Sequence, residues 1–294
     1  MSTKVFNTEQ LQAINSTAHK ILCLAGAGSG KTASMIARVS RLVADGKDPK
    51  SILALTFTNA AATEMRERYK HEHPSEIIPE FRTFHSFCYS LLCKDFDIRD
   101  ALGYSTIPGI VSDAEEKEIT ELARTTCKIK MSIKDLKRSA RRNKKDAYTV
   151  ELFNKAMARL MRQRNLISFD MLNEEVSLLF SANHPATLKY KNRYTTLLSD
   201  EYQDTDTHQM LFLESFKDSD LYFCGDTLQN LYSFRGTSNE FIKQLSVDSA
   251  WEKIRLHTNY RSTNQICDYA NAFSVYGDAS YRVEMDAIRD GDPV

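Results

Sequence analysis

The stretch Ala25-Gly26-Ala27-Gly28-Ser29-Gly30-Lys31-Thr32 decides how the rest of the chain is read. It follows the apolar run Ile21-Leu22-Cys23-Leu24 and precedes residues 33–42, where Met35, Ile36, Val39 and Leu42 fall at helical spacing. Strand, glycine loop and helix in that order is the setting in which a phosphate-loop pattern acquires a mechanism. Glycines at 26, 28 and 30 let backbone N–H groups converge on an anion, and the helix opening near Lys31 adds its positive N-terminal end. Lys31 would reach the β and γ phosphates of a nucleotide, and the Thr32 hydroxyl would ligate Mg²⁺. The strict pattern begins with glycine, where this chain has Ala25; the plain alternative is a glycine turn between a strand and a helix.

A second half of such a site lies downstream. The apolar run Tyr194-Thr-Thr-Leu-Leu-Ser199 leads straight into Asp200-Glu201-Tyr202-Gln203-Asp204. Adjacent carboxylates at a strand's end suit an NTPase: Asp200 can hold the Mg²⁺ shell and Glu201 can polarise a water for attack on the γ-phosphorus. Leu221-Tyr-Phe-Cys224 reads as another strand, followed by Gly225-Asp226-Thr227-Leu228-Gln229. The uncharged Gln229 can hydrogen-bond to the γ-phosphate or the attacking water. Tyr232, Phe234 and Arg235 then interleave aromatic faces with a cation, a recipe for gripping single-stranded nucleic acid, with plain packing as the alternative. After the run Ile254-Arg-Leu-His257, Arg261 is a candidate phosphate-facing cation and Tyr260 a stacking surface for a base.

Upstream, residues 6–18 read as a short helix with Asn7 or Thr8 at its N-cap. That helix leads into the loop's strand, so Gln10 either hangs over the nucleotide base or is an ordinary exposed glutamine. Ser51-Ile-Leu-Ala-Leu-Thr56 is a buried strand that breaks at Phe57-Thr58-Asn59 into a helix from about Ala60. Residues 81–88 repeat the arrangement, with a polar break from Thr83 to His85. Polar and aromatic groups at the carboxyl ends of strands sit where open parallel sheets bind ligands.

Between about 94 and 190 the texture changes and helical periods dominate, over 113–127, 133–142, 150–164 and 169–180. Lys128, Lys130, Lys134, Lys137, Arg138, Arg141, Arg142, Lys144 and Lys145 crowd together against Asp135 and Asp146. Such a run is either a solvated face or a surface for a phosphate backbone.

The 294 residues, with 42% hydrophobic and 27% charged content, describe a globular chain of about two domains. Net charge is zero, so any nucleic-acid contact must come from local patches. Six cysteines form no C-x-x-C pair and mostly lie in apolar runs, which suggests buried reduced thiols in a cytoplasmic protein. No apolar run approaches the roughly 18 residues of a membrane span.

In order along the chain, F-N-T-E-Q-L-Q-A-I, A-G-A-G-S-G-K-T, L-T-F-T-N-A-A-A-T-E-M-R-E-R, T-F-H-S-F-C, S-F-D-M-L, S-D-E-Y-Q-D-T, G-D-T-L-Q-N-L-Y-S-F-R-G and N-Y-R-S-T closely resemble the motifs of the UvrD/Rep-type superfamily 1 DNA helicases. The resemblance implies an α/β fold: a RecA-like P-loop NTPase domain with a mostly parallel sheet, plus an inserted all-helical subdomain. It divides the chain into motor domain 1A over 1–93 and 191–262, a helical subdomain 1B over 94–190, and an incomplete start of the second motor domain 2A over 263–294.

Carried over by position, Gln10 contacts the adenine. The loop residues Ala27, Gly28, Ser29, Gly30, Lys31 and Thr32 hold the phosphates, with Thr32 and Asp200 on Mg²⁺ and Glu201 on the water. Gln229 and Arg261 face the γ-phosphate and Tyr260 stacks on the base. Phe57, Thr58, Asn59, Thr83, His85, Tyr232, Phe234 and Arg235 line the DNA path.

The activity so implied is ATP-driven 3′ to 5′ movement along single-stranded DNA and at its junctions with duplex, with no membrane involved. A nucleotide- and DNA-binding module without helicase activity of its own is the alternative, because most of the second motor domain is expected to lie outside this chain. A small-molecule kinase would leave the aromatic loop and N-Y-R-S unused. Two departures are visible: Ala33 stands where many relatives carry arginine, and Phe234 where many carry tryptophan.

Overall fold

In the computed structural model, which describes residues 5–74, 77–229, 240–274 and 283–291, the loop's strand is paired on both sides within one sheet. Strand β1 (Lys20–Ala25) is followed by β2 (Ile52–Thr56) and β3 (Glu80–Thr83), and later by β6 (Thr196–Ser199), β7 (Asp220–Gly225) and β8 (Glu252–Leu256). These make one six-stranded sheet in the order β3-β2-β6-β7-β1-β8, with every pairing parallel. The apolar runs read as strands because a parallel sheet is covered on both faces and has no need to alternate polar and apolar residues. Accordingly β2 and β6 are buried at every position.

Helices α1 (Thr8–Asn15), α2 (Lys31–Ala44) and α3 (Asn59–Glu72) supply much of the covering. Met35, Ile36 and Val39 of α2 and Met65 and Tyr69 of α3 join Ile21, Cys23, Ala25, Ala54, Leu198, Tyr222 and Ile254 in one buried cluster. Helix α1 is shorter than the 6–18 segment read from sequence, because Asn7 caps it and Ser16 ends it. The guanidinium of buried Arg38 then donates to the carbonyls of Ala13, Ile14 and Ser16 at 2.9, 3.3 and 2.9 Å, satisfying helix-end acceptors that would otherwise lack partners.

The chain forms two units, one of residues 1–84 and 177–294 and one of residues 85–176. The first contains the sheet. The texture of the sequence changes at about 94 and 190, whereas packing divides the chain inside helices α4 (Phe84–Lys94) and α9 (Phe169–Ser181). Periodicity marks where strands stop, not which end of a helix is packed where. The polar break expected from Thr83 to His85 is absent, since α4 begins at Phe84 directly after β3.

Between these limits, the second unit carries α5 (Phe96–Ala101), α6 (Asp113–Thr126), α7 (Ile133–Ala140) and α8 (Lys144–Gln163). A two-residue parallel ladder, β4 (Gly109–Ile110) with β5 (Leu166–Ile167), is its sheet among the described residues. Ala123, Ile129, Leu136 and Phe153 form its core. All nine basic residues of the 128–145 run are exposed, so their charge faces solvent while Ile129 and Leu136 point inward.

The first unit is completed by α10 (Pro185–Arg193), α11 (Thr207–Glu214), α12 (Glu240–Val247), β9 (Thr258–Asn259), α13 (Asn264–Ser274) and β10 (Asp286–Ala287). The two-residue strands β9 and β10 pair in parallel. The six cysteines are free, four of them buried. No helix among the described residues is long and apolar enough to cross a membrane.

Candidate nucleotide site

Because every strand of the sheet runs the same way, the loops after β1, β6, β7 and β8 emerge at one edge. This brings residues 26–30, 200–204, 226–229 and 257–262 together across large sequence distances. The carboxyl edge of an open parallel sheet is where the ends of strands leave room for a ligand.

The glycine loop has the conformation its composition requires. Gly28 and Gly30 adopt φ of +68° and +81°. A side chain at Gly28 would also lie 2.7 Å from both the Arg261 Cβ and the Asn259 Oδ1. Ser29 closes the turn by donating to the Gly26 carbonyl at 2.7 Å. Lys31 and Thr32 then open α2, aiming its unpaired N–H groups at the loop.

Lys31 and Thr32 each meet a carboxylate. The Lys31 ammonium lies 3.7 Å from the Glu201 carboxylate, and the Thr32 hydroxyl donates to Asp200 at 3.1 Å. Burial alone would lower the Lys31 pKa, yet Glu201, with Cys224, Asp226 and Asp200, holds it above the usual value. Glu201 stands at φ +52°, a left-handed conformation that costs a non-glycine residue about 1–2 kcal/mol. Strain of this kind directly after a buried strand is a mark of a functional position.

Burial, reinforced by Glu201 beside it, pushes the Asp200 carboxyl up to about 6, and the same two causes push Asp204 up to about 6. In an unfolded chain both would titrate near about 3.9. Between those values the folded state binds more protons, so stability falls as pH rises through the window, and above about 6 the fold carries two costly buried anions. That donor set fits a divalent cation: an oxygen pair from Thr32 and Asp200, with repulsion that a positive charge relieves. Mg²⁺ with ADP is therefore expected to raise the melting temperature more at about pH 7.5 than at about pH 5. Equal shifts at the two pH values would contradict the assignment.

Gln10 is not an exposed glutamine. It is buried, its carbonyl oxygen accepts from the Asn7 N–H at 3.0 Å, and its amide donates to the Ser29 carbonyl at 2.9 Å. Tyr260 is exposed, and its N–H donates to the Gly28 carbonyl at 2.9 Å. Arg261 is exposed, with its Cβ packed at Gly28, and its carbonyl accepts from Arg289. The Gln229 amide donates to the Asp226 carboxylate at 2.6 Å.

Among residues read as ligand-binding at other strand ends, Phe57 is half-buried and Thr58 caps α3 by accepting from the Ala61 N–H at 3.1 Å. The Thr83 hydroxyl reaches the Asn59 side chain at 3.3 Å, bringing two of them together. His85 belongs to the second unit, where its ring nitrogen lies 3.0 Å from the Asn173 amide and its edge meets Phe169. Tyr232, Phe234 and Arg235 lie outside the described residues.

Three residues at this edge were not singled out by sequence. Asn259, 1% exposed, donates to the Ala27 carbonyl at 2.8 Å and accepts from the N–H groups of Arg261 and Ser262 at 2.8 and 2.7 Å. Gln203 bridges the Glu201 carboxylate and the Asp226 N–H at 2.8 and 2.9 Å. Met285 packs over Gly26, where an added Cβ would lie 2.8 Å from its side chain. Asn259 and Gln203 lie inside motifs already marked, but their contacts span the fold, and nothing in sequence marks Met285.

The family model described as the UvrD/REP helicase N-terminal domain matches residues 6–250. A probable DNA helicase II homolog of Mycoplasma capricolum is 31% identical over 301 residues, covering 92% of this chain and 41% of the relative. The ATP-dependent DNA helicase PcrA of Staphylococcus epidermidis is 33% identical over 290 residues, covering 91% of this chain and 40% of its own length. PcrA of Staphylococcus aureus is 31% identical, with 90% and 39% covered. The chain thus spans roughly two fifths of the length of the curated relatives it matches.

Proposed function

Because the chain belongs to the UvrD/REP helicase family, whose N-terminal domain it matches, we propose that it is the ATP-hydrolysing part of a DNA helicase that moves 3′ to 5′ along single-stranded DNA. The observation that carries this reading is the meeting of Lys31 with Glu201 and of Thr32 with Asp200 on a glycine loop at the sheet's carboxyl edge. In this reading, 1–93 and 191–262 act as the first motor domain, 94–190 as its helical insertion, and 263–294 as the beginning of the second motor domain.

Each side chain then has a task. The loop N–H groups and the Lys31 ammonium bind the nucleotide's phosphates, and the buried Gln10, whose amide holds the Ser29 carbonyl, contacts the adenine. Thr32 and Asp200 hold Mg²⁺, which when bound neutralises phosphate charge. Glu201 orients the attacking water and accepts its proton. Gln229 and Arg261 face the γ-phosphate, and the exposed Tyr260 stacks on the base. Phe57, Thr58, Asn59, Thr83 and His85, together with Tyr232, Phe234 and Arg235, contact DNA, and substrates include junctions of single strand with duplex.

The test is ATP hydrolysis measured with and without single-stranded oligonucleotides, paired with displacement of a strand annealed to a 3′ or a 5′ overhang. The reading expects hydrolysis to rise with DNA and displacement to favour the 3′ overhang. Hydrolysis indifferent to DNA would overturn the function, and preference for the 5′ overhang would overturn the direction.

The basic run of the second unit has a separate expectation. If it contacts phosphates, replacing Arg138, Arg141 and Arg142 with glutamine lowers DNA affinity and flattens the plot of log affinity against log salt, by roughly 0.7–0.9 per lost phosphate contact. An unchanged slope in a salt titration would leave the run a solvated face.

A further inference from the structure

The two side chains assigned to the base lie far apart in sequence, Gln10 on α1 and Tyr260 just after β9, and the first turn of α1 joins them. Asn7 caps the helix by accepting from the Gln10 N–H at 2.8 Å, and its amide nitrogen donates to the Thr258 hydroxyl at 2.9 Å. Glu9, in the same turn, gives both carboxylate oxygens to His257, 248 positions away. Its Oε2 accepts from the His257 backbone N–H at 2.8 Å, and its Oε1 accepts from the ring Nδ1 at 2.7 Å. A carboxylate only accepts, so the ring carries a hydrogen on Nδ1. Hydrogen bonds to an ionised acceptor are among the strong ones, and two of them fix its direction.

His257 is the point at which the chain leaves the sheet. Strand β8 ends the sheet order, and its ladder with β1 stops where Ala25 faces Leu256. The His257 N–H lies past that ladder, and Glu9 supplies its acceptor. Beyond it, the His257 carbonyl accepts from the Asp286 N–H at 3.0 Å, Asn259 donates to the Ala27 carbonyl at 2.8 Å, and the Tyr260 N–H donates to the Gly28 carbonyl. The contacts of Asn259 and Tyr260 therefore shape the glycine loop. Those of Glu9 and Asn7 instead tie the segment that bears Tyr260 to the helix that bears Gln10. Glu9 is half-buried, so water can take its place when it is removed, and the loss falls on geometry rather than on the core.

We infer that Glu9 is a positioning residue that, through His257, sets the spacing between Gln10 and Tyr260 and so governs affinity for the nucleotide's base but not for its phosphates. The inference rests on the function proposed above, in which those two residues contact the base. Both oxygens of Glu9 are committed to His257, so it acts through that residue and not on the nucleotide directly.

The experiment uses the full chain and calorimetric titration, in the presence of Mg²⁺, with two probes: ADP, and tripolyphosphate, which has phosphates and no base. Glu9→Ala removes both hydrogen bonds. Glu9→Gln keeps an oxygen for the His257 N–H and can offer its nitrogen to the ring's other tautomer. His257→Ala removes only the ring's share of the contact and serves if Glu9→Ala fails to fold. Tyr260→Ala, alone and combined with Glu9→Ala or His257→Ala, completes a double-mutant cycle.

Glu9→Ala is expected to weaken ADP about tenfold, the scale of one base stacked on one aromatic ring, and His257→Ala to weaken it about threefold. Tripolyphosphate should bind within about twofold of the parent in both, Glu9→Gln should restore ADP binding to within about threefold, and neither alanine variant should cost more than about twofold further once Tyr260 is gone. A merely structural role would weaken both probes alike and add to the loss from Tyr260→Ala. Either of those results, or ADP affinity unchanged in Glu9→Ala, overturns the inference alone. Parent-like ADP binding in Tyr260→Ala overturns the stacking role proposed for Tyr260 and this inference with it.

Discussion

Replacing Glu201 by glutamine is expected to lower the rate of ATP hydrolysis by about 10³-fold while the nucleotide still binds, because a general base contributes about 10²–10⁴ to such reactions. The substitution is nearly isosteric. It keeps an oxygen for the Gln203 amide, which donates to the Glu201 Oε2 at 2.8 Å, and it removes the charge that can take a proton from water. It also removes the anion 3.7 Å from the Lys31 ammonium, leaving the latter freer to engage phosphate. Asp200 loses the neighbour that, after burial, holds its carboxyl high, which favours metal binding. Nucleotide affinity should therefore hold or rise while turnover collapses. The check is kcat at saturating single-stranded DNA beside the dissociation constant of an ATP analogue. A variant that turns over at the parent rate would remove Glu201 from the mechanism.

Asn259→Ala is expected to have the second large effect, on the fold of the site itself. Besides a longer contact to the Met285 Sδ at 3.5 Å, this buried side chain makes three hydrogen bonds to oxygen and nitrogen partners: one to the Ala27 carbonyl and two from the N–H groups of Arg261 and Ser262. Leaving buried partners unsatisfied costs about 1–3 kcal/mol each, and some relief by entering water brings the expected destabilisation to about 2–4 kcal/mol. Nucleotide affinity should fall about tenfold or more, since the Ala27 carbonyl belongs to the phosphate loop and the same side chain sets the turn bearing Arg261.

Denaturant unfolding and analogue titration measure the two losses. Asn259→Asp divides them, because it keeps the acceptor for Arg261 and Ser262 and gives up the donor to Ala27. Gly28→Ala should act in the same direction from the opposite wall, by placing a methyl group 2.7 Å from Asn259 and Arg261 at φ +68°. Parent-like stability and binding in Asn259→Ala would show that the loop keeps its shape unaided.

The strand, loop and helix around Ala25 to Thr32 were readable from sequence because their signals are local. Four apolar residues mark a strand covered on both faces, glycines mark positive φ, and apolar residues at helical spacing mark the face of α2 that packs. The carboxylates at 200 and 201 were legible for the same reason, since they directly follow a short strand built on Leu197 and Leu198. Gln10 was harder. Its chemistry permits either exposure or contact, and only the fold turns its amide onto the Ser29 carbonyl, 19 positions away in sequence.

By itself, then, the sequence determined the class of fold and where a glycine loop and a strand-end pair of acids lie along the chain, because each rests on backbone preferences within a few residues. The tertiary structure decided which strands are neighbours, and so which side chains share an edge. Parallel pairing places β1 between β7 and β8, with Leu24 opposite Gly225 and Ala25 opposite Leu256. That register delivers Asn259 to a carbonyl 232 positions away and sets Gln203 on the turn after Gly225. Burial, which depends on everything packed above a group, then raises Asp200 and Asp204 to about 6. Contacts and desolvation of this kind are long-range sums, and no local pattern encodes them.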